Sequence, residues 1–428
     1  MSGTGIAAAL ASLGSGQSTP RELYHRLQER AGQGTSGAWS GLLPFTEPGP
    51  GPLHGVPIAI KDNIDTAGSV SRAGSAAMDN RQPAKADAAC VNRLRQAGAL
   101  ILGRTMMTDL AFTALGTHSK GTPVNQVDAR RVPGGSSSGS AVAVAAGEAC
   151  AALGTDTGGS VRIPAAFNGL VGLKPTTGSL DMTGIVPLSP TLDTVGPITT
   201  NVRDAALLYG VLSGTSTGSG RGMRVLVPEG VLIQDLDEAV LAWFETALGL
   251  LEECGASIRR GPLPVIETVR SAARFGSFAG HEAWRGHGRD VRRHAERMEP
   301  YVARHLLAYA DRDGAGLDEL HALRDRAAAE LPEQLEGIDL VAVPTVMCLP
   351  PLLSQVRDTE LTDVLESRVL RNTQPFNFLG MPALSVPCAP EGEGRMVGLM
   401  LCGRPGADWE LLRVGEAFEE ARDSRSAG

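Results

Sequence analysis

Gly154-Thr-Asp156-Thr157-Gly158-Gly159-Ser160-Val-Arg162-Ile-Pro164 is the stretch on which the reading of this chain turns. Glycines flank an acid, two hydroxyls and a serine. Glycine lets successive main-chain N–H groups converge on one point, so the loop reads as an anion-binding nest. Such a nest holds a phosphate in a binding protein or an oxyanion in an enzyme. The chain has neither a G-x-x-x-x-G-K-[ST] loop nor a strand-borne G-x-G-x-x-G, which lowers the phosphate reading.

Upstream lies Val132-Pro-Gly-Gly-Ser136-Ser137-Ser138-Gly139-Ser140. Taken alone it is a polar loop capping the helix that follows. Gly135-Ser-Ser137-Ser-Gly139 also spells the nucleophile elbow G-x-S-x-G, but that motif needs a strand directly before it. Here Ala129-Arg-Arg-Val-Pro133 precedes it, a charged turn with a proline, which argues against an α/β-hydrolase.

Further upstream, Gly55-Val-Pro-Ile-Ala-Ile-Lys61-Asp62-Asn63 closes a short apolar run on a lysine. A strand-end lysine usually snorkels its head to water. The alternative is a desolvated amine kept neutral and able to act as a base. A serine beside an oxyanion nest needs a base. His54 precedes Lys61, His118 lies in a loop, and His281, His287, His294, His305 and His321 fall in a charged helical part. All of these read as solvated surface histidines, which leaves the lysine as the available base.

The rest of the chain sets the frame. Its 428 residues allow two to three domains or one large α/β domain. A hydrophobic share of 42% excludes a disordered chain, and with 4% aromatics the core must rest on Ala, Val, Leu and Ile. The 53 glycines and 27 prolines follow no G-X-Y period, so they signal turns and not collagen. A net charge of −8 disfavours broad binding to a nucleic-acid backbone. Cys90, Cys150, Cys254, Cys348, Cys388 and Cys402 are dispersed with no C-x-x-C, so they read as reduced, mostly buried thiols and not as a zinc or dithiol site. No Lys or Arg precedes Arg21, and no apolar run reaches a membrane-spanning length, so neither export nor a membrane span is expected.

Thr19-Pro20-Arg21-Glu22 predicts a capped helix running to about Arg30. Residues 32–53 read as loop and Val56–Ile60 as a buried strand. A helical pattern over Ala86–Ala97, a stop at Gly98 and an apolar run Ala99–Gly103 make an α/β signature. Residues 116–140 read as loop, Ala141–Leu153 as helix-compatible, and 154–178 as too irregular for a helix. Met223–Val227, Leu340–Val343, Ala383–Val386 and Val397–Cys402 read as strands, and 236–255 and 299–335 as helices. No internal repeat or low-complexity linker stands out. The expectation is one domain over 1–428, with core motifs in 50–215 and 336–420 and a variable helical insertion at about 215–335.

Together these segments resemble the amidase signature family. The resemblance runs through the three stretches quoted above and Ala165-Ala-Phe-Asn-Gly-Leu-Val-Gly-Leu-Lys-Pro-Thr176. It resumes at Asp339-Leu-Val-Ala-Val-Pro-Thr345, Gly380-Met-Pro-Ala-Leu-Ser-Val-Pro387 and Gly398-Leu-Met-Leu-Cys-Gly-Arg-Pro-Gly406. It implies an α/β fold in one large domain, with a mixed central β-sheet covered by helices on both faces. It also implies a Ser–Ser–Lys triad, with Ser160 as nucleophile, Lys61 as base and Ser136 as bridging serine after a cis Gly135–Ser136 peptide. The N–H groups of Thr157, Gly158, Gly159 and Ser160 would then form the oxyanion hole. Gly135, Ser137, Met106 and Arg162 are the expected substrate contacts, with a pocket lined by 106–117 and by helices of 265–350. Asp156 and Arg162 read mainly as a structural ion pair that orders the loop, and a substrate carboxylate is the alternative partner of Arg162. Lys174 reads as structural.

Ser138, where the family more often has glycine, is similar to malonamidase-like amidases and allophanate hydrolases, although Gly159 and Val161 depart from the latter. A glutaminase subunit of a tRNA-dependent amidotransferase is a further relative. The expectation is a cytoplasmic hydrolase of a small carboxamide, releasing ammonia. It needs no cofactor or metal and binds neither nucleic acid nor membrane. A homodimer is left open.

Overall fold

The computed structural model describes residues 5–216, 223–312 and 314–426. Met1–Thr4 of the N-terminal reading and 217–222, at the start of the expected insertion, lie outside the described residues. Eleven strands form one sheet: β1 (Trp39–Leu42), β2 (Pro57–Lys61), β3 (Leu100–Thr105), β4 (Ala151–Asp156), β5 (Val171–Lys174), β6 (Thr194–Thr199), β7 (Arg224–Pro228), β8 (Ser257–Gly261), β9 (Leu340–Pro344), β10 (Ala383–Pro387) and β11 (Gly398–Gly403). Their order is β1-β3-β2-β4-β6-β5-β10-β11-β9-β7-β8. β2 runs parallel to β3 and β4, β7 runs parallel to β8 and β9, and the strands between are antiparallel. The sheet is therefore mixed.

Alternation of side chains explains why both faces are covered. Leu399 and Leu401 of β11 pack with Leu384, Val386 and Leu411, Leu412 and Phe418 of the C-terminal helix. Met400 and Cys402, one residue out of phase, pack with Val341, Val343, Phe376 and Leu320, Leu323 and Ala327 of the helix Leu317–Gln334. β11 thus feeds two apolar clusters, and its run of buried residues is continuous.

The helix at Thr19 has the expected reciprocal cap and spans Pro20–Gly32. The helix Ala89–Gln96 ends before the Gly98 stop, and β3 follows it. Other expectations are corrected. The helix Ser138–Ala145 ends before Gly147, which has φ +68°, and Ala151–Leu153 belong to β4. Small apolar residues suit either state, and pairing between β2 and β6 decides for strand. The irregular-looking 154–178 contains a helix, Arg162–Phe167, and β5. The loop 32–53 contains the edge strand β1. β6 and the helix Val202–Ser213 were not anticipated. The segment 223–335 is not helical alone: it adds β7, as expected, and β8 to one edge of the sheet.

No helix among the described residues is long and apolar enough to cross a membrane. All six cysteines are free, and five of them are buried. In β2 and β4, Ile60 pairs with Leu153, so the parallel strands end side by side at Lys61 and Thr155-Asp156. Ligand sites in α/β sheets gather at such carboxyl ends.

Candidate active site

Lys61 closes β2 and is wholly buried. Its Nζ donates to Ser136 Oγ at 2.7 Å, Thr155 Oγ1 at 2.8 Å and Thr155 O at 3.2 Å. Burial pushes its pKa down to about 7, against the pull of Asp156 and Asp193, which favour the charged form. The lysine does not snorkel.

Ser136 follows a cis peptide bond from Gly135. A Cβ on Gly135 would lie 2.8 Å from Thr113 O and 2.9 Å from Gly116 N, so only glycine fits there. Ser136 O accepts the Thr108 N–H at 3.2 Å. The Ser137 N–H donates to Ser160 O at 3.2 Å, which ties the serine loop to the nest. Ser160 is 6% exposed while Lys61 and Ser136 are 0% exposed, so it stands nearest to solvent of the three.

The nest is organised from below by Asp156. Its Oδ1 accepts the Gly159 N–H at 2.8 Å and its Oδ2 accepts the Val161 N–H at 3.1 Å. Asn377 Nδ2 donates to the same Oδ1 at 2.8 Å. Burial alone would raise the Asp156 carboxyl, but the Arg162 guanidinium beside it, helped by Lys174 and Asn377, holds it well below the usual carboxylate range. Gly159 has φ +135°, and a Cβ there would lie 2.4 Å from Thr373 Oγ1. Thr373 Oγ1 in turn donates to Gly158 O at 2.5 Å. On the other flank, Thr157 Oγ1 donates to Asp193 Oδ1 at 2.5 Å, and Asp193 also accepts the Leu188 and Ser189 N–H groups. Burial raises the Asp193 carboxyl to about 6.

Several site expectations change in this light. The Gly159 N–H is committed to Asp156 and is not free for an oxyanion. Among the described residues the N–H groups of Thr157, Gly158 and Ser160 have no protein acceptor. Arg162 is wholly buried and bonded to Asp156 and Asn377, so it offers nothing to a substrate carboxylate, and the ion-pair reading is the one its geometry matches. Ser137 and Gly135 are buried as well, with Ser137 Oγ donating to Thr155 O at 3.3 Å and Gly135 N–H to Ala114 O at 2.6 Å. Met106 is partly exposed and lines a cavity of about 550 Å³ with Met107, His118, Asp62 and Arg104. Lys174 is buried and donates to Pro175 O at 2.8 Å.

Two histidines expected in solvent are buried. The Nδ1 of His118 accepts the Lys120 N–H at 2.8 Å, and its Nε2 lies 2.5 Å from Gly74 O. His281 Nε2 lies 2.9 Å from Phe275 O. Both are satisfied by main chain and neither bonds to Lys61 or Ser136. Among the described residues no cluster of His, Cys, Asp and Glu could hold a metal. Thr155, Asp193, Thr373 and Asn377 escaped the sequence reading. Only Thr155 carried a signal, its place inside the glycine stretch.

A mixed sheet ending on a buried lysine, with hydroxyls and a glycine nest around it, is the frame of an amide-cleaving enzyme. Residues 45–412 match the family model described as Amidase, and the chain belongs to that family, whose members act on amide carbon–nitrogen bonds. The chain is 36% identical over 426 residues to a glutamyl-tRNA(Gln) amidotransferase subunit of Symbiobacterium thermophilum, covering 88% of this chain and 85% of that one. It is 34% identical over 383 residues to the 2-amino-5-chloromuconic acid deaminase of Comamonas testosteroni, covering 86% and 82%. A solved structure described as an amidase superposes with a TM-score of 0.86 at 33% identity, covering 97% of this chain and 99% of that one.

Proposed function

We propose that this enzyme hydrolyses a small carboxamide to a carboxylate and ammonia through Ser160, Ser136 and Lys61. The observation that carries the reading is the 2.7 Å hydrogen bond between the wholly buried Lys61 Nζ and Ser136 Oγ. A lysine with a pKa near 7 is half neutral at neutral pH, as a general base requires.

Neutral Lys61 takes the Ser136 proton as Ser136 takes that of Ser160. The Ser160 oxygen attacks the amide carbonyl, and the N–H groups of Thr157, Gly158 and Ser160 hold the developing oxyanion. Each such donor contributes ~3 kcal/mol to transition-state stabilisation. The proton returns through Ser136 to the leaving nitrogen, the C–N bond breaks and ammonia departs. Water, activated by the same relay, then cleaves the Ser160 acyl ester and restores the serine.

The test is an ammonia-release screen over malonamate, allophanate, biuret, aliphatic, aryl and peptide C-terminal amides, run on wild type and S160A. Turnover of one class by wild type, with S160A folded and at least ~10²-fold slower, supports the reading. S160A turning over within that margin removes Ser160 as nucleophile. The identity to a subunit of an amidotransferase favours a second reading, a glutaminase that works inside a complex. Glutamine hydrolysis appearing only when a partner protein is added would select it. The small-amide reading predicts activity from this chain alone.

A further inference from the structure

We propose that Glu366, on the helix Thr359–Leu370, is a positioning residue for Ser136, gripping the Ala114-Leu115 turn from which the Gly134-Gly135 segment hangs. The inference rests on the proposed Lys61–Ser136 relay.

Glu366 is an anomaly in its place. It is 1% exposed and stands beside the apolar cluster of Ala114, Leu115, Val132, Phe167, Leu365 and Val369. An acid among such residues is unfavourable unless its oxygens are hydrogen-bonded. Its charged surroundings give no help. Glu299 and Asp363 are acids, Asp363 is itself taken by Arg304 at 2.8 Å, and burial with these two neighbours raises the Glu366 carboxyl to about 8.

What Glu366 accepts are main-chain N–H groups. Ala114 N donates to its Oε2 at 2.9 Å and to its Oε1 at 3.1 Å, and Leu115 N donates to Oε1 at 3.3 Å. The carbonyls of the same two residues point the other way. Ala114 O accepts the Gly135 N–H at 2.6 Å, and Leu115 O accepts the Gly134 N–H at 3.1 Å. Two consecutive residues thus bridge one carboxyl to the two glycines that precede Ser136. The next link is the 2.7 Å bond from Ser136 Oγ to Lys61.

Without Glu366 the turn keeps its packing but loses its anchor, and Ser136 drifts relative to Lys61. A misplacement of about 1 Å can slow catalysis ~10²-fold. Glu366 touches no substrate, so the loss falls on kcat and leaves KM in place.

The experiment compares the kinetics of wild type, E366L and E366Q on the amide that wild type hydrolyses at pH 9, where the Glu366 carboxyl is ionised and both its oxygens accept, and follows amide hydrogen exchange at Gly134 and Gly135. Leucine suits the apolar surroundings and cannot accept the two N–H groups. Glutamine keeps one acceptor oxygen. Expected are a ~10- to 100-fold fall in kcat for E366L with KM within about threefold, an intermediate fall for E366Q, and faster exchange at both glycines in E366L. E366L with wild-type kcat and exchange, a loss in KM alone, or E366Q no better than E366L overturns the clamp. Should E366L fail to fold, E366Q decides. A kcat at least about threefold lower, at unchanged KM and thermal midpoint, supports it, and wild-type kcat overturns it. If wild type releases no ammonia from any amide, the proposed function fails, while the exchange rates still decide whether Glu366 anchors the glycines.

Discussion

Arg162 and Asp156 meet in two charge-assisted hydrogen bonds, Nη2 to Oδ1 at 2.9 Å and Nε to Oδ2 at 3.0 Å, and neither side chain reaches solvent. The pair sits under the Ser160 loop, and Asp156 also holds the main chain on both sides of Ser160. Removing one partner of a buried pair leaves an uncompensated charge and costs about 3–5 kcal/mol. D156N and R162M are therefore both expected to lower the thermal midpoint. D156N also replaces an acceptor oxygen by a donor beside two main-chain N–H groups, so its kcat is expected to fall further than that of R162M. Thermal unfolding and steady-state kinetics on the two variants check the order. Equal midpoints for wild type and R162M would show that the pair adds nothing to the fold.

The rate is expected to rise with pH through about 7, as Lys61 loses its proton. The same shift has a stability consequence. The folded pKa lies below the ordinary value of 10.5, so between about 7 and 10.5 the unfolded chain binds more protons than the folded one. Stability contributed by this group therefore rises with pH across that window, and its folding penalty is fully present below 7. K61M removes the penalty along with the proposed base. It is expected to lose at least ~10³-fold in kcat and to match or exceed the wild-type thermal midpoint, by more at pH 6 than at pH 9. A pH-independent rate with chemistry limiting, or a K61M midpoint that falls at pH 6, contradicts the neutral lysine.

Lys61 stood out because a lysine ending an apolar run is odd in its own local context, whereas Ser136 came forward only through the family resemblance, since a serine in a polar glycine loop is ordinary by itself. Asp193 and Glu366 were not legible, because each is a single acid whose acceptor bonds go to main chain or to one distant hydroxyl, and such partners leave no pattern in the chain. β4 was hidden for a different reason. Ala151-Ala-Leu-Gly154 has no periodicity that separates helix from strand, and its state is set by β2 and β6 on either side. The direction of the Gly159 N–H is a matter of φ, and sequence says only that glycine permits the turn. The family resemblance was carried by short ordered segments, whereas β8 lies between them, in a stretch that reads as helical insertion, and had to be seen.

Gly159 admits no side chain. Its φ of +135° favours glycine, and a Cβ would stand 2.4 Å from Thr373 Oγ1 and 2.5 Å from Ile163 Cδ1. G159A must therefore push Thr373 away and break its bond to Gly158 O. The backbone strain alone costs roughly 1–3 kcal/mol. The expected phenotype is a folded protein with a lowered midpoint and kcat reduced ~10²-fold. G158A is the control, because a Cβ there meets nothing closer than the flexible Gln374 Cγ at 3.3 Å. It should be far milder in thermal midpoint, and equal losses in the two variants would argue against the Thr373 contact as the cause.

Asp193 acts on the site from two directions. It accepts the Thr157 hydroxyl at 2.5 Å, and its charge favours the protonated form of Lys61. D193N removes the charge while keeping the shape and one acceptor. With that attraction gone, the Lys61 pKa moves further down, so the acid limb of the rate profile should shift to lower pH. The plateau should fall by roughly tenfold, because the new amide can offer only one oxygen to Thr157, Leu188 and Ser189, which now share two. A variant that merely loosened the fold would lower the plateau and leave the limb where it is. The pH dependence of kcat/KM for wild type and D193N separates the two, and a limb that moves to higher pH would show that Asp193 does not carry a charge felt by Lys61.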